Sequence, residues 1–109
     1  MPHYGIEAHI LQDGATTATN GSTFQMRRKE ATFQAVGSTG SGAGAAVINI
    51  EFSNDGTNWI TGGTISLTLS TTAVDDGFAS DAAWKYVRSD VDSISGTGAS
   101  VTVTMGYER

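Results

Sequence analysis

Ser53-Asn54-Asp55-Gly56-Thr57-Asn58-Trp59 lies at the middle of the 109-residue chain. Asn and Asp tolerate left-handed backbone and Gly adopts it freely, so Asn-Asp-Gly is strong turn chemistry. Before it runs Val47-Ile48-Asn49-Ile50-Glu51-Phe52. After it come Trp59-Ile60 and Thr64-Ile65-Ser66-Leu67-Thr68-Leu69-Ser70. In both runs apolar residues recur with a period of two, which is the spacing of a half-buried strand. The reading is a β-hairpin whose returning strand opens on Trp59, with Gly62-Gly63 as a bulge in that strand.

Working outward, the same alternation recurs at about ten-residue spacing. Ile6, Ala8 and Ile10 share one side of a first strand, with Glu7 and His9 on the other. Phe24 and Met26 share a face in residues 23–27, and Phe33 and Ala35 point inward in residues 31–36. Trp84-Lys85-Tyr86-Val87-Arg88 is an aromatic-rich strand. Val101, Val103, Met105 and Tyr107 alternate with Thr102 and Thr104 in a last one. Residues 15–22 read as a wide loop or weak edge strand. Residues 37–44, rich in Gly and Ser, read as a mobile exposed loop. Within residues 71–83 the pattern gives a turn at 74–78 and a single helical turn capped by Ser80. The sum is a single domain, 1–109, with residues 1–5 as an N-terminal arm. Its class is an all-β antiparallel sandwich of about eight strands, jelly-roll or Ig-like, without substantial helix. The expected core is Phe33, Ile50, Phe52, Leu67 and Val103, with Trp59, Trp84 and Tyr86 at its ends.

Composition supports this class and narrows function. Charged residues are 16% of the chain, Gly numbers 14 and Pro 1, which favours strands and tight turns. The net charge of −5 argues against a nucleic-acid module, which needs a basic face. No Cys is present, so neither a disulfide frame nor a thiolate metal site is expected. No charged leader and no apolar run of membrane-spanning length is seen, so no membrane partner is expected.

The search for chemistry yields little. Gly40-Ser41-Gly42-Ala43-Gly44 has the composition of a phosphate loop, but a strand follows where a helix is needed to converge amides on an anion. Asp75, Asp76 and Asp81, or Asn54, Asp55 and Asn58, offer oxygens to Ca²⁺ without the spacing of a known loop, and read better as turn residues. His3 and His9 lack a third partner. No Ser sits in Gly-x-Ser-x-Gly. No cofactor and no enzymatic activity are expected. Trp59, Trp84 and Tyr86 could make a sugar-stacking platform, against the simpler reading that they pack in the core.

Three pieces in order carry a family likeness. They are Thr32-Phe33-Gln34-Ala35 followed by a Gly/Ser loop into Ala-Ala-Val; the central Ser-Asn-Asp-Gly-Thr-Asn-Trp; and Trp84-Lys85-Tyr86-Val87-Arg88 leading to Ile94-Ser95-Gly96-Thr97-Gly98-Ala99. Over residues 24–106 this order resembles small β-sandwich proteins encoded among the virion structural genes of tailed bacteriophages. Ala83 stands where Pro is expected before the Trp. The resemblance implies a non-enzymatic virion component: a capsid decoration or cement protein on the outer surface of the phage head, bridging major capsid protein subunits, commonly as a homotrimer. A tail or fibre component, or a carbohydrate- or receptor-binding module, is the alternative. The segments expected to touch partners are His3 and Tyr4 in the arm, the basic turn Arg27-Arg28-Lys29, and Tyr107 with Arg109 at the other end. Few Lys or Pro residues guard the strand edges, so assembly is expected to cover some of them.

Overall fold

The computed structural model describes residues 5–108. Among these there are nine strands and no helix: β1 Ile6–Ala15, β2 Thr19–Asn20, β3 Phe24–Gln25, β4 Ala31–Ser38, β5 Ser41–Ser53, β6 Ile60–Leu69, β7 Val74–Ser80, β8 Tyr86–Thr97 and β9 Ser100–Glu108. Two antiparallel sheets form. One has the order β1-β9-β4-β7. The other has the order β2-β8-β5-β6, with β3 also paired to β8. β2 and β3 meet β8 at Thr19↔Val91 and Phe24↔Val87, so they are two pieces of one broken edge strand.

The pairings are nested about the central turn. β5 pairs β6, β4 pairs β7, β2 and β3 pair β8, and β1 pairs β9. The chain is thus one long hairpin, closed at residues 53–59 and rolled over into two layers. That is jelly-roll topology, which decides between the two sandwich types left open by the sequence.

The turn is built as its residues require. Asp55 accepts hydrogen bonds from the N–H groups of Thr57 and Asn58, each at 2.8 Å, and from Asn58 Nδ2 at 2.8 Å. Ser53 Oγ accepts from the Gly56 N–H at 2.9 Å and donates to Asp55 Oδ1 at 3.0 Å. Gly56 takes φ +74°, the left-handed conformation that glycine adopts without steric cost. The Gly62 bulge is present: Ile50 faces Gly63 and Glu51 faces Thr61, leaving Gly62 unpaired between them.

Residues 37–44 are not a mobile loop. They end β4, turn at Thr39-Gly40 and begin β5, carrying the chain from one sheet to the other. The β8–β9 connection crosses beside it, joined by Gly40 N–H to Thr97 O at 2.8 Å. Glycine is needed there because two backbones touch: a Cβ on Gly44 would lie 2.2 Å from Ser95 O. Residues 74–80 are also not a turn but strand β7, and 81–84 form no helix. Pairing with β4 over seven residues outweighs the local turn preference of Asp-Asp-Gly.

Between the sheets Phe33 of β4 meets Phe52 of β5 edge-on at 5.8 Å and Phe78 of β7 at 5.5 Å. Ile48, Ile50, Val87, Val91 and Val103 are fully buried around them. At the β2 side a polar node ties the layers: Ser89 Oγ donates to Gln12 Oε1 at 2.7 Å, and Gln12 Nε2 donates to Thr19 O at 3.1 Å.

Candidate interaction surfaces

The two sheets present different faces to solvent. On the β2-β8-β5-β6 sheet, the face is charged, with one ion pair and further carboxylates beside it. Arg88 Nε donates to Glu51 Oε1 at 2.7 Å across a directly opposed pair. The same guanidinium lies 4.3 Å from the centre of the Trp59 ring, a cation–π contact. Thr64 Oγ1 donates to Asn49 Oδ1 at 2.8 Å. Partial burial, with Glu51 and Asp92 nearby, holds the Asp90 carboxyl above its usual range. This face therefore carries one paired cation and a surplus of carboxylates.

The outer face of the β1-β9-β4-β7 sheet is of another kind. Register places Ala8, Gly106, Thr32 and Ala79 in one row, Ile10, Thr104, Gln34 and Gly77 in the next, and Thr102, Val36 and Asp75 in a third. The first two rows hold no ionisable group; the third is flanked by Asp75, to which Gln34 Nε2 donates at 2.9 Å, and by Asp13, to which Thr102 Oγ1 donates at 3.4 Å. Ile6 is 70% exposed, Ile10 54% and Val36 39%. From strand spacing and rise, the rows span roughly 15 Å by 20 Å. At the Ile6 end the face opens into a groove whose lining includes Ala31, Thr32, Ala79 and Gly106 together with Glu30, Asp81 and Glu108.

The β1 alternation separated the right residues, and the structure decides which side is inward. Glu7 and His9 point inward and Ile6, Ala8 and Ile10 outward. His9 stacks against Phe24 at 4.3 Å, and Phe24 against Tyr107 at 5.8 Å. Leu11, the next odd position, is buried in the core. The signal was present in the sequence: Ile10 and Leu11 are adjacent, so one of them had to face out.

Of the residues expected to touch partners, the structure sets the basic turn beside the end of β9, next to Tyr107. Arg27, Arg28 and Lys29 are exposed in the β3–β4 connection, and Arg28 Nε donates to Glu108 O at 3.4 Å. Tyr107 is partly buried against the core and Phe24. His3, Tyr4 and Arg109 lie outside the described residues. Of the expected core, Phe33, Ile50, Phe52, Leu67 and Val103 are buried, and Trp84 packs against them, stacked on Phe52 at 6.2 Å. Trp59 and Tyr86 are corrections. Trp59 sits half-buried under Arg88 on the outer face, and Tyr86 lies half-buried beside the Gly56 turn. Tyr86 takes an outward position at the start of β8 and Trp59 lies just before β6, and side-chain size turns neither one inward. Trp84 and Trp59 therefore belong to opposite sides of one sheet, and no shared sugar-stacking platform forms from them.

The candidate Ca²⁺ oxygens are engaged locally. Asp55 is bound within its turn, Asn54 Oδ1 accepts from the Lys85 N–H at 3.1 Å, and Asp76 Oδ1 accepts from the Gly77 N–H at 2.8 Å. Among the described residues no group of three or more His, Asp or Glu converges to hold a metal ion.

No family model matches the chain, and no curated protein is significantly similar in sequence. Among solved structures, the SPBc2 prophage-derived protein YomS superposes with a TM-score of 0.67 at 17% identity, covering 100% of this chain and 97% of that one. A structure of Bacillus endospore appendages, described as a family of disulfide-linked pili, gives a TM-score of 0.47 at 17% identity, covering 95% and 87%. The likeness to YomS is one of fold across the whole chain. Function has to be argued from the surface.

Proposed function

We propose that this chain is a non-enzymatic structural protein of a phage virion, a decoration protein that lays the outer face of its β1-β9-β4-β7 sheet on the shell of major capsid protein. The observation that carries this is the contrast between the two outer faces. One carries Arg88 with Glu51, Asp90 and Asp92; the other exposes Ile6, Ile10 and Val36 among Thr, Gly, Ala and Gln, with no ionisable group in its first two rows and Asp13 and Asp75 flanking the third. A solvated sheet face ordinarily alternates apolar-in with polar-out. A centre free of charge with carboxylates at its margins is the composition of an interface core with a polar rim. The sequence resemblance to virion sandwiches and the shared fold with a prophage-derived protein support the setting.

The face is small. Roughly 300 Å² is well under the ~800 Å² per partner of a standard stable interface. A single copy docking through it alone binds weakly. Many copies on a repeating shell, linked to one another, gain by effective concentration. That is the physical logic of a cement layer.

The test is binding of purified protein to particles that lack it. Ile10→Lys and Ala8→Lys each place an unpaired charge in the docked face, so they should weaken binding at least about tenfold while leaving the melting temperature unchanged. Full binding by both variants, or no binding by the unaltered chain, would overturn the reading.

A further inference from the structure

The jelly roll leaves four strand edges, and they differ. The β2 and β3 edge consists of two-residue pieces. The β1 edge carries Glu7, His9 and Asp13 and is broken by two register shifts. The β7 edge carries Asp75 and Asp76. Short length, charge and bulges are the usual protections against strand addition. The fourth edge, β6, runs ten residues from Ile60 to Leu69 with no ionisable residue and no Pro. Its sole protection is the Gly62 bulge near one end. Among the described residues β6 is hydrogen-bonded to β5 alone, on one side.

We propose that the open β6 edge is a self-association site, at which two copies pair β6 to β6 antiparallel over residues 64–68 about a two-fold axis normal to the sheet, with Ser66 opposite Ser66 and Thr64 opposite Thr68. A second copy is the fitting occupant for two reasons. An edge related to itself by such an axis is necessarily antiparallel, the pairing native to every ladder in this fold. With a net charge of −5, copies of this chain repel, and β6 is the edge where their backbones can meet without opposed charges. The result is one continuous sheet across the pair. The neighbouring β7 edges bring their aspartates toward one another across the join, so screening by salt should tighten the association.

This deepens the multi-copy part of the proposed function and uses a different surface, so the two can fail separately. Light scattering should give a two-chain mass that rises in population with salt. Ser66→Lys with Thr68→Lys, both at exposed positions, should raise the dimer dissociation constant at least about tenfold without changing the β-sheet circular dichroism or the melting temperature. The chain has no Cys, so Thr64→Cys, Ser66→Cys and Thr68→Cys, oxidised singly and in pairwise mixtures, give a clean register scan. Cross-linking in one register supports the pairing. A monomer at every concentration, an oligomer untouched by the lysines, or a dimer that no cysteine combination cross-links would overturn it. An unaltered chain that stays monomeric yet binds the shell would sink only the pairing, not the docking face.

Discussion

Asp55 illustrates how much one side chain sets at the residue scale. The Asn58 N–H, Asn58 Nδ2, the Thr57 N–H and Ser53 Oγ all donate to its carboxylate, and hold its pKa far below the ordinary 3.8. The folded state thus prefers Asp55 ionised. That stability is present above the unfolded pKa of 3.8 and is lost as pH falls through the lower folded value. Asp55→Asn should therefore lower stability near neutral pH, with the deficit shrinking toward about pH 2. Urea melts of both proteins across that range check it, and parallel curves would contradict it. Trp59 gives a second residue-scale test. As a core residue its loss would cost ~3–5 kcal/mol. Half-buried under Arg88, it should cost about 1 kcal/mol, mostly the cation–π contact. A thermal or urea melt of Trp59→Ala separates the two values.

At the element scale, the corner where β4–β5 and β8–β9 cross between sheets is the tightest piece of backbone. Gly44→Ala would set a methyl group against Ser95 O, a contact that backbone must move to relieve. The expected cost is ~1–3 kcal/mol. A neutral Gly44→Ala in chemical denaturation would mean the corner is looser than described. The same corner shows what sequence could and could not reveal. In sequence, Gly42-Ala43-Gly44-Ala45-Ala46-Val47 and Gly96-Thr97-Gly98-Ala99-Ser100-Val101 share the pattern Gly-x-Gly-Ala-x-Val. Its cause, two backbones crossing side by side, was not visible there, because Gly/Ser composition serves a close approach and a mobile loop equally well. Strands β5, β6 and β9 were legible from period two, and the central hairpin from Asn-Asp-Gly with Gly62-Gly63. β7 was not, since its stability comes from register with β4 rather than from its own residues.

At the scale of the whole molecule, the nesting of every pairing about residues 53–59 makes the fold a single hairpin rolled on itself. Sequence alternation identified a sandwich. Strand order, a property of distant pairings, was needed to identify the jelly roll. The candidate surfaces were less legible than the fold. The sequence pointed to Arg27, Arg28, Lys29 and Tyr107 because charge and aromaticity attract notice. The docking face we propose is made instead of residues that carry no charge, and only register gathers Ile10, Thr104 and Gln34 into one row.

The central claim is that the β1-β9-β4-β7 face meets a viral shell. It is tested most directly by cryo-electron microscopy of the particle that carries this protein. Density on the head with Ile6, Ile10 and Val36 turned onto the capsid subunits is the predicted result. Density on the tail, or on the head with that face turned to solvent and the Arg88–Glu51 face against the shell, would contradict it.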